Sequence, residues 1–232
     1  SELVVDLVAG QTVVLVLAVT IGSATLLAES WPQWRGPSLD GVSAETGLPF
    51  RWSPTENVAW KTDIPGLGWS SPVVWGDHVF VTSAVSTGTE AKLIPGLYDP
   101  GDDQGSVKSS VANKWMVYDV DFTTGKIRWP TELRNEPPPI ARHIKNTYAS
   151  EAAVTDGERV YVHFGAEGTA ALSTAGEMLW KTRLAYETQH GNGGSPELAG
   201  DLLIVNCDGF DQSFVVALDT RTGKTRWRTD RR

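Results

Sequence analysis

The apolar residues of this chain fall in short runs broken by glycine-centred turns, and one two-part phrase returns three times. Its first part reads "SSPVVWGDHVFVT" from Ser70, "ASEAAVTDGERVYVHF" from Ala149 and "GSPELAGDLLIVNC" from Gly194. In each, two apolar stretches flank a Gly-Asp or Asp-Gly pair, the local signature of a β-hairpin. The second part reads "DVDFTTGKIRW" (Asp119 to Trp129), "ALSTAGEMLW" (Ala171 to Trp180) and "ALDTRTGKTRW" (Ala217 to Trp227). It predicts another hairpin, turning at Gly125, Gly176 or Gly223, where glycine accepts the positive φ that such turns require. One unit is therefore four antiparallel strands, A to D.

The closing tryptophans give the period. Trp129 to Trp180 is 51 residues and Trp180 to Trp227 is 47, and four strands in about 40–50 residues is the size of a propeller blade. The unit before them is longer because residues 84–113 are inserted between its strands B and C. An earlier "NVAWKTDI" (Asn57 to Ile64) reads as a lone strand D. The pattern thus predicts an all-β chain of about three β-propeller blades, a partial ring, because propellers typically close with four to eight. The last phrase is followed at once by the end of the sequence, so the chain is read as the N-terminal portion of a longer protein. The strand around Trp60 would then complete its final blade.

Composition adjusts this picture in three places. Ten tryptophans and 23 glycines in 232 residues fit short aromatic strands joined by tight turns. A net charge of −8 argues against a nucleic-acid partner, which needs a basic face. The single cysteine, Cys207, excludes an internal disulfide and reads as a small buried apolar residue. The N-terminal run "VVLVLAVTIGSATLLA" (Val13 to Ala28) carries no charge over 16 residues. That length suits a signal-peptide core better than a bilayer-spanning helix, although Glu2 and Asp6 stand where a basic flank is expected. The domain reading is a signal peptide or membrane anchor at 1–28 and a propeller domain at 29–232. Any membrane contact is assigned to the N-terminal segment.

Up-and-down connectivity sorts the candidate chemistry. The segments entering strand A and the B–C loops share one end of the blades, which gathers Trp69, His143, Lys145, Asn146, His190, Asn192, Asp208, Asp211 and the insert. Long loops on a rigid scaffold are where binding residues concentrate. His143, His163, His190 and Asp208 have spacings that match no metal-ligand motif. In "YDPGDDQG" (Tyr98 to Gly105), Asp99, Asp102 and Asp103 are candidate calcium ligands, but the loop lacks the full motif and its distal glutamate. "HGNGGSP" (His190 to Pro196) precedes a strand and so is no phosphate cradle; it reads as a tight backbone approach at a blade's inner edge. "NEPPP" (Asn135 to Pro139) reads as a rigid connector between blades. The sequence supports no Ser-His-Asp triad and no nucleophile elbow by motif context.

The phrase ending at Trp227, with "WPQWRGPSLDGVS" (Trp31 to Ser43), "YVHFG" (Tyr161 to Gly165), "HGNGGSP" and "NCDGFD" (Asn206 to Asp211), resembles the PQQ-binding-like β-propeller repeat proteins. The likeness runs from Trp31 to Arg232. In that family one tryptophan per blade docks against the neighbouring blade. The resemblance assigns this role to Trp129, Trp180 and Trp227, with Gly125, Gly176 and Gly223 as the turns. Relatives include quinoprotein dehydrogenases, which hold pyrroloquinoline quinone over calcium, often under a ring formed by adjacent cysteines, and scaffold lipoproteins of outer-membrane protein assembly, which bind proteins and no cofactor. This chain has no adjacent cysteine pair. The expectation is an exported scaffold or binding module of the periplasm or cell envelope, taking a protein or small-molecule ligand on the long-loop face, with no cofactor. The alternative is a quinone- and calcium-dependent alcohol or sugar dehydrogenase, for which Trp69, Arg142, Lys145, His190 and Asp208 would be the cofactor-site candidates.

Overall fold

The structure is a computed structural model that describes residues 5–8, 12–15, 29–89, 106–188 and 190–231. Three four-stranded antiparallel sheets follow one another along the chain. The first holds β4 (Val73–Trp75), β5 (His78–Ser86), β7 (Asn113–Asp121) and β8 (Ile127–Glu136). Two-residue β6 (Ser106–Val107), from the loop between β5 and β7, pairs instead with β9 (Arg142–His143). The second sheet holds β10 (Val154–Thr155), β11 (Arg159–His163), β12 (Thr169–Ser173) and β13 (Met178–Thr182). The third holds β14 (Glu197–Ala199), β15 (Leu202–Asp208), β16 (Ser213–Asp219) and β17 (Thr225–Arg231). Each is an up-and-down blade, A to D.

Alternation explains why the blades stack. Along β7, Trp115 and Val117 join a core shared with the second blade, while Tyr118 and Val120 join a separate core on the other face. In β5, Phe80 and Ala84 go one way and Val79 and Val81 the other. In β11, Val160 and Val162 pack toward the first blade and Tyr161 toward the third. A period of two places successive side chains on opposite faces. A strand apolar at both parities is therefore buried between two neighbours. The outermost strands lack such cover on both sides, and β17 is exposed along its whole length.

The inner strands β4, β10 and β14 approach one another in succession, so the first strands of the blades line a common axis. Trp31 exchanges two 2.8 Å backbone hydrogen bonds with Val74 on the free edge of β4, and Pro32 O accepts from Thr155 N in β10 at 2.9 Å. The segment after residue 30 thus runs along the axis, covering edges that would otherwise carry unpaired backbone groups.

Several boundaries differ from the sequence reading. The strand at Trp60 is not alone: β1 (Val5–Val8), β2 (Thr12–Leu15) and β3 (Trp60–Asp63) form a three-stranded sheet in that order. The start of the apolar 13–28 run lies in β2, and 16–28 lie outside the described residues. The insert is 87–112, because β5 and β7 stay paired as far as Ser86 and Asn113. "NEPPP" begins inside the sheet, since Asn135 and Glu136 pair with Lys114 and Asn113, and the strand ends where Pro137 removes a donor. Pro130 is tolerated within β8 because that strand is the sheet's edge. Among the described residues no helix is long and apolar enough to cross a membrane.

Candidate functional site

Two groups of tryptophans stand out. Those of the first group close the blades. Trp60 donates its indole N–H to Phe122 O at 2.8 Å, Trp129 to Thr174 O at 3.0 Å, and Trp180 to Thr220 O at 2.8 Å. Each acceptor belongs to the C–D turn of the next blade, and each ring covers that turn's glycine. A Cβ on Gly125 would stand 2.5 Å from Trp60 and one on Gly176 2.6 Å from Trp129, while one on Gly223 would collide with Trp180. A second fastener is missing from the sequence reading. The residue two after the tryptophan is a threonine, and Thr62 and Thr131 donate their hydroxyls to Gly125 O and Gly176 O respectively. The signal was present as Trp-x-Thr at Trp60, Trp129, Trp180 and Trp227. Trp227 itself is 42% exposed. Trp75 makes a related contact, its ring filling the space over Gly157 in the A–B turn of the second blade.

The polar residues of the repeat serve these turns. Asp121 Oδ1 accepts from Thr124 N and Oγ1 at 2.7 and 2.8 Å, and its other oxygen pairs with Arg128 at 2.5 Å. The Arg128 and Thr124 bonds hold the carboxyl down at about 2. Asp219, Thr222 and Arg226 repeat the arrangement in the third blade. The recurring Asp, Thr and Arg are accounted for by turn capping.

The second group faces the axis. Trp34 is 58% exposed and Trp69 46%, and both line a groove of about 570 Å³. Among the described residues neither indole N–H has an acceptor. Gln33, Arg35 and Leu39 from the axial segment share this groove with Ser71, Ser150 and residues 193–197, which enter the inner strands of the three blades. Arg35 leans over the Trp34 ring at 5.8 Å and donates to Asp40 O. Ser195 Oγ accepts from Ala152 N at 2.9 Å, which joins two blades and leaves its own hydroxyl proton to donate. Only Gly191 of "HGNGGSP" makes the tight approach read from the sequence: its φ is +82°, and a Cβ there would stand 2.9 Å from the Asn146 side chain. A Cβ on Gly193 would have nothing within 4 Å, and one on Gly194 would meet only Asn206 O, at 3.5 Å.

The structure distributes the other candidates elsewhere. Arg142 is buried beside the Tyr148 ring and donates to His143 O and Asn146 O. Lys145 donates its backbone N–H to His143 Nδ1. His190 meets His143 edge to face at 5.4 Å, lies 3.1 Å from Ser106 Oγ, and accepts at its carbonyl from His143 N and from Asn146 Nδ2. These three therefore stitch the loop beside the groove. Asp208 is apart from them, paired with Arg231 at 2.7 Å. Asp211 Oδ1 accepts from Glu187 N. Asp99, Asp102 and Asp103 lie outside the described residues. Among the described residues no group of three or more His, Cys, Asp or Glu is placed to hold a metal ion.

The second blade buries unusual polarity. His163 sits between Thr169 Oγ1 (2.8 Å) and Tyr186 OH (3.2 Å), and burial pushes its pKa down to about 3. Glu151 and Glu167 are also buried, which raises each to about 8. Glu151 Oε1 and both Glu167 oxygens have no hydrogen-bond partner among the described residues. A neutral acid is the form such surroundings favour.

Residues 112–232, just over half of the chain, match a family profile described as outer membrane protein assembly factor BamB. None of the curated proteins matches the chain. Among solved structures, the quinohemoprotein alcohol dehydrogenase of Comamonas testosteroni is similar at 17% identity and a TM-score of 0.46, over 72% of this chain and 21% of that one. BamB from Moraxella catarrhalis is similar at 20% identity and a TM-score of 0.40, over 75% and 40%. A protein of unknown function from Bacteroides caccae is similar at 12% and 0.35, over 77% and 52%. The chain spans between about a fifth and about half of the length of these structures.

Proposed function

The chain belongs to the family described as outer membrane protein assembly factor BamB, and from that premise we propose that it is an exported propeller acting as a binding or scaffold module in the cell envelope. The observation that carries this reading is the axial groove. Two tryptophans stand 58% and 46% exposed where three blades meet. Large aromatic surface left in water at a concave site is characteristic of recognition. Trp52, Trp75 and Trp227 are also partly exposed, at 50%, 38% and 42%, so what sets Trp34 and Trp69 apart is that the two line one groove.

The groove's charges bear on the quinone alternative. Pyrroloquinoline quinone is a planar tricarboxylate and needs several cationic partners and a metal. Arg35 and Glu197 contribute one charge of each sign, while Arg142, Lys145 and His190 lie in the neighbouring loop. That lining does not suit the cofactor, and no catalytic step is assigned to it. The test fractionates cells expressing the full-length protein, then assays purified protein with added quinone and calcium for dye-linked alcohol oxidation. Recovery with the envelope and no turnover is expected. Stoichiometric quinone binding with turnover would replace this reading with the dehydrogenase.

A further inference from the structure

We propose that the axial groove binds an uncharged oligosaccharide; this rests on reading the groove as the recognition site. Three observations carry it. The first is the contrast among tryptophans: Trp60, Trp129 and Trp180 each give their indole N–H to a backbone carbonyl, whereas Trp34 and Trp69 keep exposed rings. A buried indole N–H normally finds a partner within the protein. Trp34 and Trp69 instead leave an apolar surface exposed at the groove and a donor without an acceptor among the described residues. A pyranose offers the complement, since its C–H face stacks on an aromatic ring while its hydroxyls point sideways.

The second observation is the polar lining. Ser71, Ser150, Ser195, Gln33, Arg35 and Glu197 supply both donors and acceptors around one opening. Sugar hydroxyls are themselves donors and acceptors, so a mixed set satisfies them where a one-sided set would not. One cation and one anion leave the lining without net charge, which favours a neutral ligand over an acidic one. An opening of about 570 Å³ lies within the range of small-ligand sites, about 300–1,000 Å³.

The third observation is glycine where the protein does not need it. Neither Gly193 nor Gly194 has positive φ, and a side chain at Gly193 would meet no neighbour within 4 Å. Conformation and packing therefore both permit a larger residue. What glycine does there is keep the groove wall open and let a ligand approach the backbone.

The experiment titrates the full chain by calorimetry with maltotriose, cellotriose and chitotriose, using trigalacturonate and a neutral tripeptide as controls. Binding of at least one neutral trisaccharide is expected, with none of the two controls. Trp69→Ala and Trp34→Ala should each weaken it by at least about tenfold. Gly193→Val should abolish it while the melting temperature stays unchanged, which separates occlusion from misfolding. Absence of binding by all three neutral sugars overturns the proposal, as does binding that Gly193→Val leaves intact or a preference for the acidic sugar or the peptide. Envelope fractionation and the quinone assay are read independently, so a failed sugar titration leaves the binding-module reading standing.

Discussion

The indole of Trp129 covers Gly176 of the following blade so closely that a Cβ there would stand 2.6 Å from ring atom Cδ2. Gly176 also has φ +85°. Gly176→Ala should therefore incur both backbone strain and displacement of the ring, about 2–4 kcal/mol together. Gly200 supplies the control, since its φ is +61° with nothing within 4 Å, and Gly200→Ala should cost only about 1–2 kcal/mol. Urea midpoints of the two variants measure the difference. Equal losses would mean that the docking contact contributes nothing.

Truncating the tryptophans should give unequal results. Trp180 is 8% exposed and hydrogen-bonded to Thr220 O, so Trp180→Ala should cost about 3–5 kcal/mol. Trp227→Ala, at 42% exposure, should cost less than about 1 kcal/mol. Thr131→Val removes the hydroxyl held by Gly176 O and should cost about 1 kcal/mol. Thermal melts of the three variants decide the order.

The buried acids predict a loss of stability toward alkaline pH. Burial raises Glu151 and Glu167 to about 8 in the folded state, against an ordinary value of 4.5. The folded state holds those protons longer, so their favourable contribution is complete below about 4.5 and lost as pH rises through about 8. His163 acts oppositely. Its folded value of about 3 lies below the ordinary 6.5, so its contribution is complete above 6.5 and lost as pH falls toward 3. Melting temperature should fall between pH 6.5 and 8, and Glu151→Gln and Glu167→Gln should each flatten that limb. An alkaline slope unchanged in both variants would refute the assignment.

Cys207 should be chemically silent in the native protein. It is fully buried, and burial pushes its thiol up to about 12. A thiol so placed presents neither thiolate nor access. Labelling by a thiol reagent at pH 8 should follow global unfolding in urea, with no faster phase.

Local alternation and turn chemistry determined the blades. The period of two along "NKWMVYDVD" and the glycines at 125, 176 and 223 need only neighbouring residues to be understood, and the sheets follow them. The recurrence of tryptophan at the end of each phrase likewise pointed to one job done repeatedly. Boundaries set by partners were out of reach: β5 extends to Ser86 and β8 holds Asn135 and Glu136 because distant strands complete their hydrogen bonds. The groove was the least legible part. Trp-x-Thr sets Trp60, Trp129 and Trp180 apart from Trp34 and Trp69, but nothing adjacent in sequence distinguishes a ring that lines a groove from one that is merely exposed, such as Trp52. Tertiary structure made that distinction by running residues 31–39 along the axis and bringing Trp69, Ser150 and Gly193 to them from three separate blades. Burial, unlike strand pattern, is a property of where the remainder of the chain goes.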